Sequence, residues 1–446
     1  MAGESNWSSG VLPSQVRLAA STLLTRLPVS MVPLSLLLLV VDQTDSYTWA
    51  GLTAGAHVAG YALAHPVITH RYVKVGFFGP MLACSVVYPL LAAVVIALAY
   101  SESTWWLAFP AAGAMGAALP VTHHVLAGAW RRLGEESDER RRTTPVTTNP
   151  ATSTVKIPDR DVTPTQIAFS TRVASTAVAD AGALLGPLFV AAVVAGSSAG
   201  YAVGIAALAA LVGSWLLISD PHAAGVKVAD PRQGASTITQ VRSAESRSHL
   251  LGALLVSGAA ALAGLGVVTV TVVGFARYET GHPALAGVFL ALWAIGGFVG
   301  GVWYGSMAPG ADEQVRYRWT LLLVVLAHLP LIFVDRVVVL VVLLPVVGAL
   351  AAAHTSAYTA VIGVVARRVG AGSIRTRIAS TSYLGFGIGL AVGGIAVGQF
   401  SSASVGFAVC VGVLVIALLV GTLGSTVTKQ LRKRNSRTPA RHSRRG

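Results

Sequence analysis

Thr171-Arg172-Val173-Ala174-Ser175-Thr176 recurs 205 residues later as Thr376-Arg377-Ile378-Ala379-Ser380-Thr381. Earlier in the chain the spacing of matches is different. Ala50-Gly51 pairs with Ala286-Gly287, Gly60 with Gly296, and Arg131-Arg132 with Arg367-Arg368, all 236 residues apart. The drop from 236 to 205 places extra length in the first copy between Arg132 and Thr171. The chain thus reads as a duplicated unit whose first copy carries an insertion. Internal repeats of this kind decide an architecture before any local pattern does.

The repeated unit is apolar. The protein has 446 residues, 54% hydrophobic and 11% charged, against about a quarter charged in a soluble chain. A bilayer core is crossed by roughly 20 apolar residues in a helix. About twelve stretches meet that length, centred near Leu37, His57, Leu91, Ala112, Leu184, Ala207, Ala259, Leu292, Leu323, Leu344, Leu390 and Val415. The expected fold is an all-α integral membrane protein with about twelve transmembrane helices in two pseudo-symmetric six-helix halves. The boundaries are a cytoplasmic N-terminus (1–16), a first half (17–219) with an insertion at 131–164, a central linker (220–248), a second half (249–425) and a basic tail (426–446). The insertion and the linker read as flexible segments, and the tail from Lys429 as disordered.

Charge fixes the orientation. The N-terminus, the even gaps and the tail hold 28 of the 32 Lys and Arg residues. The odd gaps hold only Arg277 and Arg336, while Arg26 and Arg172 lie in or at the edge of spans. By the positive-inside rule both termini are cytoplasmic. The net charge of +14 is spread over these loops, which argues against nucleic acid as a partner. The odd gaps are short, and the first apolar stretch, Arg17 to Val41, is too long for a cleavable signal segment. Cys84 and Cys410 fall in different spans and read as packing residues. A multi-pass protein of the plasma (inner) membrane, monomeric among its lipids, is expected.

Several residues are candidates for chemistry. Of the eighteen Asp and Glu residues, Asp180 alone falls deep within a span. A charged, unpaired carboxylate at that depth costs several kcal/mol. Asp180 is therefore expected to be protonated, paired or in a wet cavity, as a proton-coupling or substrate-contact residue or as a structural hydrogen-bond partner. Arg26, in the first span, either pairs with it, binds an anionic cargo or reaches back to the interface. Histidine relays protons near neutrality, and His57, His123, His124 and His354 sit within spans, as do His65 and His328; packing roles are equally open. Trp293 and Trp303 either line a cavity or pack. No HxxxH or Cys/His spacing points to a metal site. No GxxxxGK[ST] motif is present, so no nucleotide cofactor is implied and a proton gradient is the expected energy source.

With about twelve spans, two six-span halves and a long central loop, the chain resembles the major facilitator superfamily. Ala181-Gly182-Ala183-Leu184-Leu185-Gly186-Pro187 is similar to the GxxxGP motif on the fifth span of that family's proton-coupled exporters, at Gly182, Gly186 and Pro187. The family's loop motif after the second span is matched only in part, by Gly60 through Pro66 and then His70-Arg71-Tyr72-Val73-Lys74, without its aspartate. Arg71, Arg172 and Arg377 stand as gate or anchor residues. The segment from Arg26 through Gly51 resembles permeases of high-GC Gram-positive bacteria. The resemblance implies a secondary active transporter, with proton-coupled efflux of a drug or metabolite as the first reading and import as another. A non-transporting enzyme or scaffold of envelope assembly is the alternative from a different class.

Overall fold

The computed structural model describes residues 14–143, 164–226, 241–307, 313–369 and 371–436. Among them the regular structure is helical. The helices are α1 (Ser14–Thr44), α2 (Tyr47–Val75), α3 (Phe78–Ala99), α4 (Ala108–Ala117), α5 (His123–Thr143), α6 (Pro164–Gly196), α7 (Ala199–Ile218), α8 (Pro221–Ala224), α9 (Val241–Thr280), α10 (Leu285–Ser306), α11 (Glu313–His328), α12 (Val337–Val369), α13 (Ala371–Phe400) and α14 (Ala403–Ser436).

Nine helices among the described residues are long and apolar enough to cross a membrane, and Ala181–Gly196 of α6 is a shorter apolar segment. Three of the twelve expected spans fall outside the nine: that of α6, whose apolar segment is short, and two more. α2 carries His57, His65, His70, Arg71 and Lys74, which lower its mean hydropathy. The span expected around Ala112 is broken: α4 ends at Ala117, residues 118–122 are irregular, and α5 begins at His123. Pro120 lies in the break. It has no N–H to donate and disfavours helix in the residue before it.

The loops expected to be flexible are partly helical. α5 continues through Thr143, into the segment read as an insertion. Pro221–Ala224 forms a short helix in the central linker, and α9 begins at Val241. α14 runs through Ser436, into the basic tail. The remainder of these three segments lies outside the described residues.

Tight turns on one face reverse the chain. Asp45 takes a φ of +52° between α1 and α2, and Ser46 then caps α2 by accepting from the Trp49 N–H at 3.3 Å. Gly281, at φ +68°, ends α9 on the same face. Tyr47 packs on Tyr278, and Trp49 on Trp105, so the short loops gather at one end. At the opposite end Arg17 and His222 both meet Asp220, and Arg132 donates to the Gly225 carbonyl. This is the basic face.

Packing in the first half of the chain recurs in the second. α1 packs on α6 and α7, α3 on α4 and α7, and α2 on α4. Likewise α9 packs on α13 and α14, α11 on α12 and α14, and α10 on α12. The close approaches recur as well. A Cβ on Gly60 or Gly116 would strike the Gly113 or His57 carbonyl, and one on Gly296 or Gly348 the Pro345 or Trp293 carbonyl. Such approach of helix backbones is how membrane helices associate when water supplies no driving force. α1 is enclosed nearly all round, with Val32, Leu34, Leu36, Leu37 and Leu39 buried. Its Thr22, Thr25 and Ser35 hydroxyls donate to carbonyls of their own helix, so these groups need no water there.

Candidate functional site

The two groups of helices, α1–α8 and α9–α14, meet along two seams. At the first, α2 lies on α13. A Cβ on Gly51 would fall on the Leu390 carbonyl oxygen and 2.7 Å from the Gly394 Cα; one on Gly55 would lie 2.6 Å from the Gly387 oxygen. At the second seam α6 meets α10, where a Cβ on Gly287 would strike the Pro187 carbonyl and lie 2.7 Å from the Ala191 Cβ. Both seams start at the short-loop face. There Arg277 of α9 reaches across to Asp45, at 2.5 Å, and donates to the Val41 carbonyl at 3.4 Å. Arg277, an exception to the charge partition, thus ties one group to the other.

Deeper along the first seam, Tyr61 of α2 stands edge-on to Tyr383 of α13, with ring centroids 4.9 Å apart. His65, one turn further, packs edge-on to Tyr61 at 5.7 Å. The break between α4 and α5 then places His123 and His124 beside His65. The His65 and His123 rings are stacked 4.9 Å apart with their planes 8° from parallel, and their Nε2 atoms lie 3.4 Å apart. His123 and His124 have centroids 3.9 Å apart. His65 is fully buried; His123, His124 and Arg26 are half-buried. The Arg26 charge acts on both His123 and Tyr61. Arg26, Tyr61, His65, His123, His124 and Tyr383 therefore form one polar cluster where the two groups face each other.

The antiporter-like motif has a packing role here. A Cβ on Gly182 would lie 2.9 Å from the Arg26 Cβ, and one on Gly186 would strike the Ser30 hydroxyl. The Ser30 hydroxyl donates to the Gly182 carbonyl at 3.0 Å. The two glycines thus seat α6 on α1, and Pro187 turns its carbonyl to α10. The side chains of Asp180 and Arg172 lie outside the described residues, although both positions are helical in α6.

The other expected site residues sit elsewhere. His57 is buried, with its Nε2 3.2 Å from the Tyr88 hydroxyl. His354 packs on Tyr317 with centroids 5.1 Å apart, and its Nδ1 is 3.4 Å from the Thr320 hydroxyl. Trp293 packs edge-on to buried His328 within its own group, at 5.6 Å. Trp303 is 53% exposed and continues the stripe of Ile295, Phe298, Val299 and Val302 on the outside of α10, which suits lipid. Arg71 and Arg377 are exposed.

Asp220, which nothing in the sequence singles out, is 1% exposed at the basic face. It caps α8 by accepting from the His222 N–H at 2.9 Å. Its carboxylate also lies 3.3 Å from Arg17 Nε and 3.0 Å from His222 Nδ1, while His222 Nε2 meets Glu136 at 2.8 Å. This network joins α1, α5 and α8. Removing one member of a buried charged set strands the others, so Asp220→Ala is expected to cost ~2 kcal/mol of stability. Asp220→Asn keeps the cap and should cost about half as much. Thermal melts of both variants and the unmodified protein in detergent measure the difference; equal melting of all three would remove the network from the stability of the fold.

No family model matches the chain, and no curated protein matches it in sequence. Among solved structures, the crystal structure of the nucleoside transporter NupG is similar with a TM-score of 0.59 at 10% identity, over 96% of this chain and 100% of that one. A single-residue mutant of the same transporter has a TM-score of 0.65 at 10% identity, over 92% of this chain and 100% of that one. At this identity the likeness carries the fold: a helical membrane architecture shared across nearly the whole length of both chains.

Proposed function

We propose that this chain is a secondary active transporter of the major facilitator type, moving a small molecule across the plasma membrane by alternating access. In this reading α2, α6 and the broken α4–α5 join the nine apolar helices to make twelve spans, six in each half. Parallel repeats of six spans, with the site near mid-depth at their interface, are an established transporter design. The charge partition puts the basic face in the cytoplasm, so the short-loop face is extracellular.

The observation that carries the proposal is the pair of seams. They close at the extracellular end through glycine–carbonyl contacts, and a polar cluster lies beyond them at the meeting of the two halves. Such a seam holds one closed state tightly and leaves few side chains to rearrange when it parts.

The cluster favours a small, polar, partly aromatic cargo. Tyr61 and Tyr383 offer ring faces and edges, and Arg26 and the histidines offer hydrogen bonds. The fold's likeness to a nucleoside transporter makes nucleosides the first class to try. Proton-coupled efflux rests on the antiporter-like motif and on Asp180; import is its competitor. Reconstitution into liposomes tests all of this. With a pH gradient imposed in either direction, labelled nucleosides, sugars, amino acids and cationic drugs are offered in turn. Saturable, gradient-driven flux of one class is expected, and the gradient that drives it gives the direction. Failure of every class under both gradients and under exchange conditions would overturn the transporter reading.

Arg277 bears on the same cycle. Its pair with Asp45 is exposed, with side chains 33% and 83% accessible, so it is expected to contribute ~0.2–1 kcal/mol. Arg277→Gln should raise the share of extracellularly open carrier by no more than about fivefold, and 1 M salt should erase the difference. Labelling of a single cysteine at Ser46 with an impermeant maleimide reads that share. A shift that salt leaves untouched would assign Arg277 some other role.

A further inference from the structure

We infer that His65, His123 and His124 form a binding site for one divalent transition-metal ion of the zinc or copper(II) type. The inference concerns these three imidazoles and holds whatever cargo the protein moves.

Each histidine offers one ring nitrogen, and the three nitrogens lie within 4.8 Å of one another. A tetrahedral zinc ion with Zn–N bonds of about 2.0–2.1 Å holds its ligand nitrogens about 3.3–3.4 Å apart. His65 Nε2 and His123 Nε2, in hydrogen-bond contact, are separated by 3.4 Å, the length of that tetrahedral edge, and a turn of one of the two stacked rings would point both lone pairs at a shared ion. His124 offers the third nitrogen, within 4.8 Å of the other two, and the fourth tetrahedral position is left for water or another ligand. An all-imidazole set suits zinc, copper(II) and nickel and excludes calcium or magnesium, which take oxygen ligands.

The backbone gathers the three rings. His123 and His124 begin α5 immediately after the irregular residues 118–122, and His65 precedes Pro66 within α2. Irregular backbone at membrane depth is tolerated where it is buried in protein or lines a cavity. A broken helix and a proline-bearing one therefore converge on one point, and each delivers imidazole there. Since the spans flanking His65 and His123 belong to the same half, a bound ion would leave the halves free to part.

The surroundings set the strength. His65 Nδ1 is buried with no hydrogen-bond partner, so no carboxylate orients that ring or strengthens it as a ligand. The Arg26 charge acts on His123 and opposes a cation. Tyr61 packs edge-on to His65, and Tyr383 packs on Tyr61. Micromolar binding is the expected result, tighter when Arg26 is neutralised.

The test uses the untagged, full-length protein in detergent, with Cu2+ and Zn2+ as probes. Titration calorimetry should give one saturable ion per chain. The electron paramagnetic resonance spectrum of the Cu2+ form should show coupling to imidazole nitrogens, three at full occupancy. His65→Gln, His123→Gln and His124→Gln should each weaken binding at least about tenfold, Arg26→Gln should strengthen it, and His222→Gln should leave it unchanged. Binding that survives in the His65→Gln/His123→Gln double variant would overturn the proposal, as would a spectrum with fewer than two nitrogens. The spectrum of the unmodified protein decides the matter even where a variant fails to fold.

Discussion

Gly51→Val is expected to hold the carrier open on its extracellular side and to cut transport by ~100-fold. The reason lies in the backbone. A Cβ at position 51 meets the Leu390 carbonyl, and the Gly394 Cα at 2.7 Å, and neither atom belongs to a side chain that could rotate away. Overpacking a tight contact costs about 1–3 kcal/mol. Each 1.4 kcal/mol or so moves a two-state equilibrium about tenfold, so the upper end of that range depopulates the closed state about a hundredfold. The cost falls only on the state in which α2 and α13 touch, so the fold itself should survive. Thr48, whose neighbour across the seam is Gly398, reports on it. With Cys84 and Cys410 replaced by serine, a cysteine at Thr48 should react faster with an impermeant maleimide in the Gly51→Val protein. Gly204→Ala is the control, because its Cβ would meet open space. Unaltered labelling together with full transport in Gly51→Val would mean that this seam does not open during the cycle.

The same seam shows what the chain disclosed in advance and what it withheld. Ala50-Gly51 and Ala286-Gly287 were visible as a repeated pair, and both glycines turn out to face the other half. Composition along the chain was enough for this, because a repeated unit repeats its small-residue contacts. The exceptions to the charge partition were also informative: Arg277 crosses between halves, and Arg26 sits beside the histidine cluster. The cluster itself was illegible. His65 and His123 are 58 residues apart, and only the break after α4 aims the second at the first. Pro120 was the available signal, since a proline amid an apolar stretch marks a break. Asp220 was missed for a different reason. Its position after an apolar stretch resembles that of any loop carboxylate, and only the approach of Arg17 and His222 buries it. Trp303 is a case that sequence leaves open between a cavity and packing; α10 turns it outward with Ile295 and Phe298.

Asp180→Asn is expected to abolish flux driven by a pH gradient while sparing exchange of labelled for unlabelled cargo. Position 180 precedes Pro187 by seven residues and Ala191 by eleven, so the helical period sets all three on one face of α6. Pro187 and Ala191 are the contacts of Gly287 on α10, which makes this the face turned toward the other half. Position 180 lies about two turns beyond Pro187, toward the basic face and near the level of Gly182, which seats against Arg26. A carboxylate at such depth carries charge only when paired or wetted. In the proposed cycle, parting of the extracellular seam would wet this face of α6 from one side, and parting of the opposite end would wet it from the other. On the proposed mechanism its proton would then be bound on one side and released on the other, which is coupling in physical terms. Asparagine keeps the size and most hydrogen bonds of the neutral acid but cannot carry the proton. Exchange moves no net proton and needs no titrating group, so it separates a coupling role from a structural one. If both modes fail together, Asp180 holds the site's shape; if gradient-driven flux persists, another group carries the proton, and the histidines beside Arg26 become the next to replace.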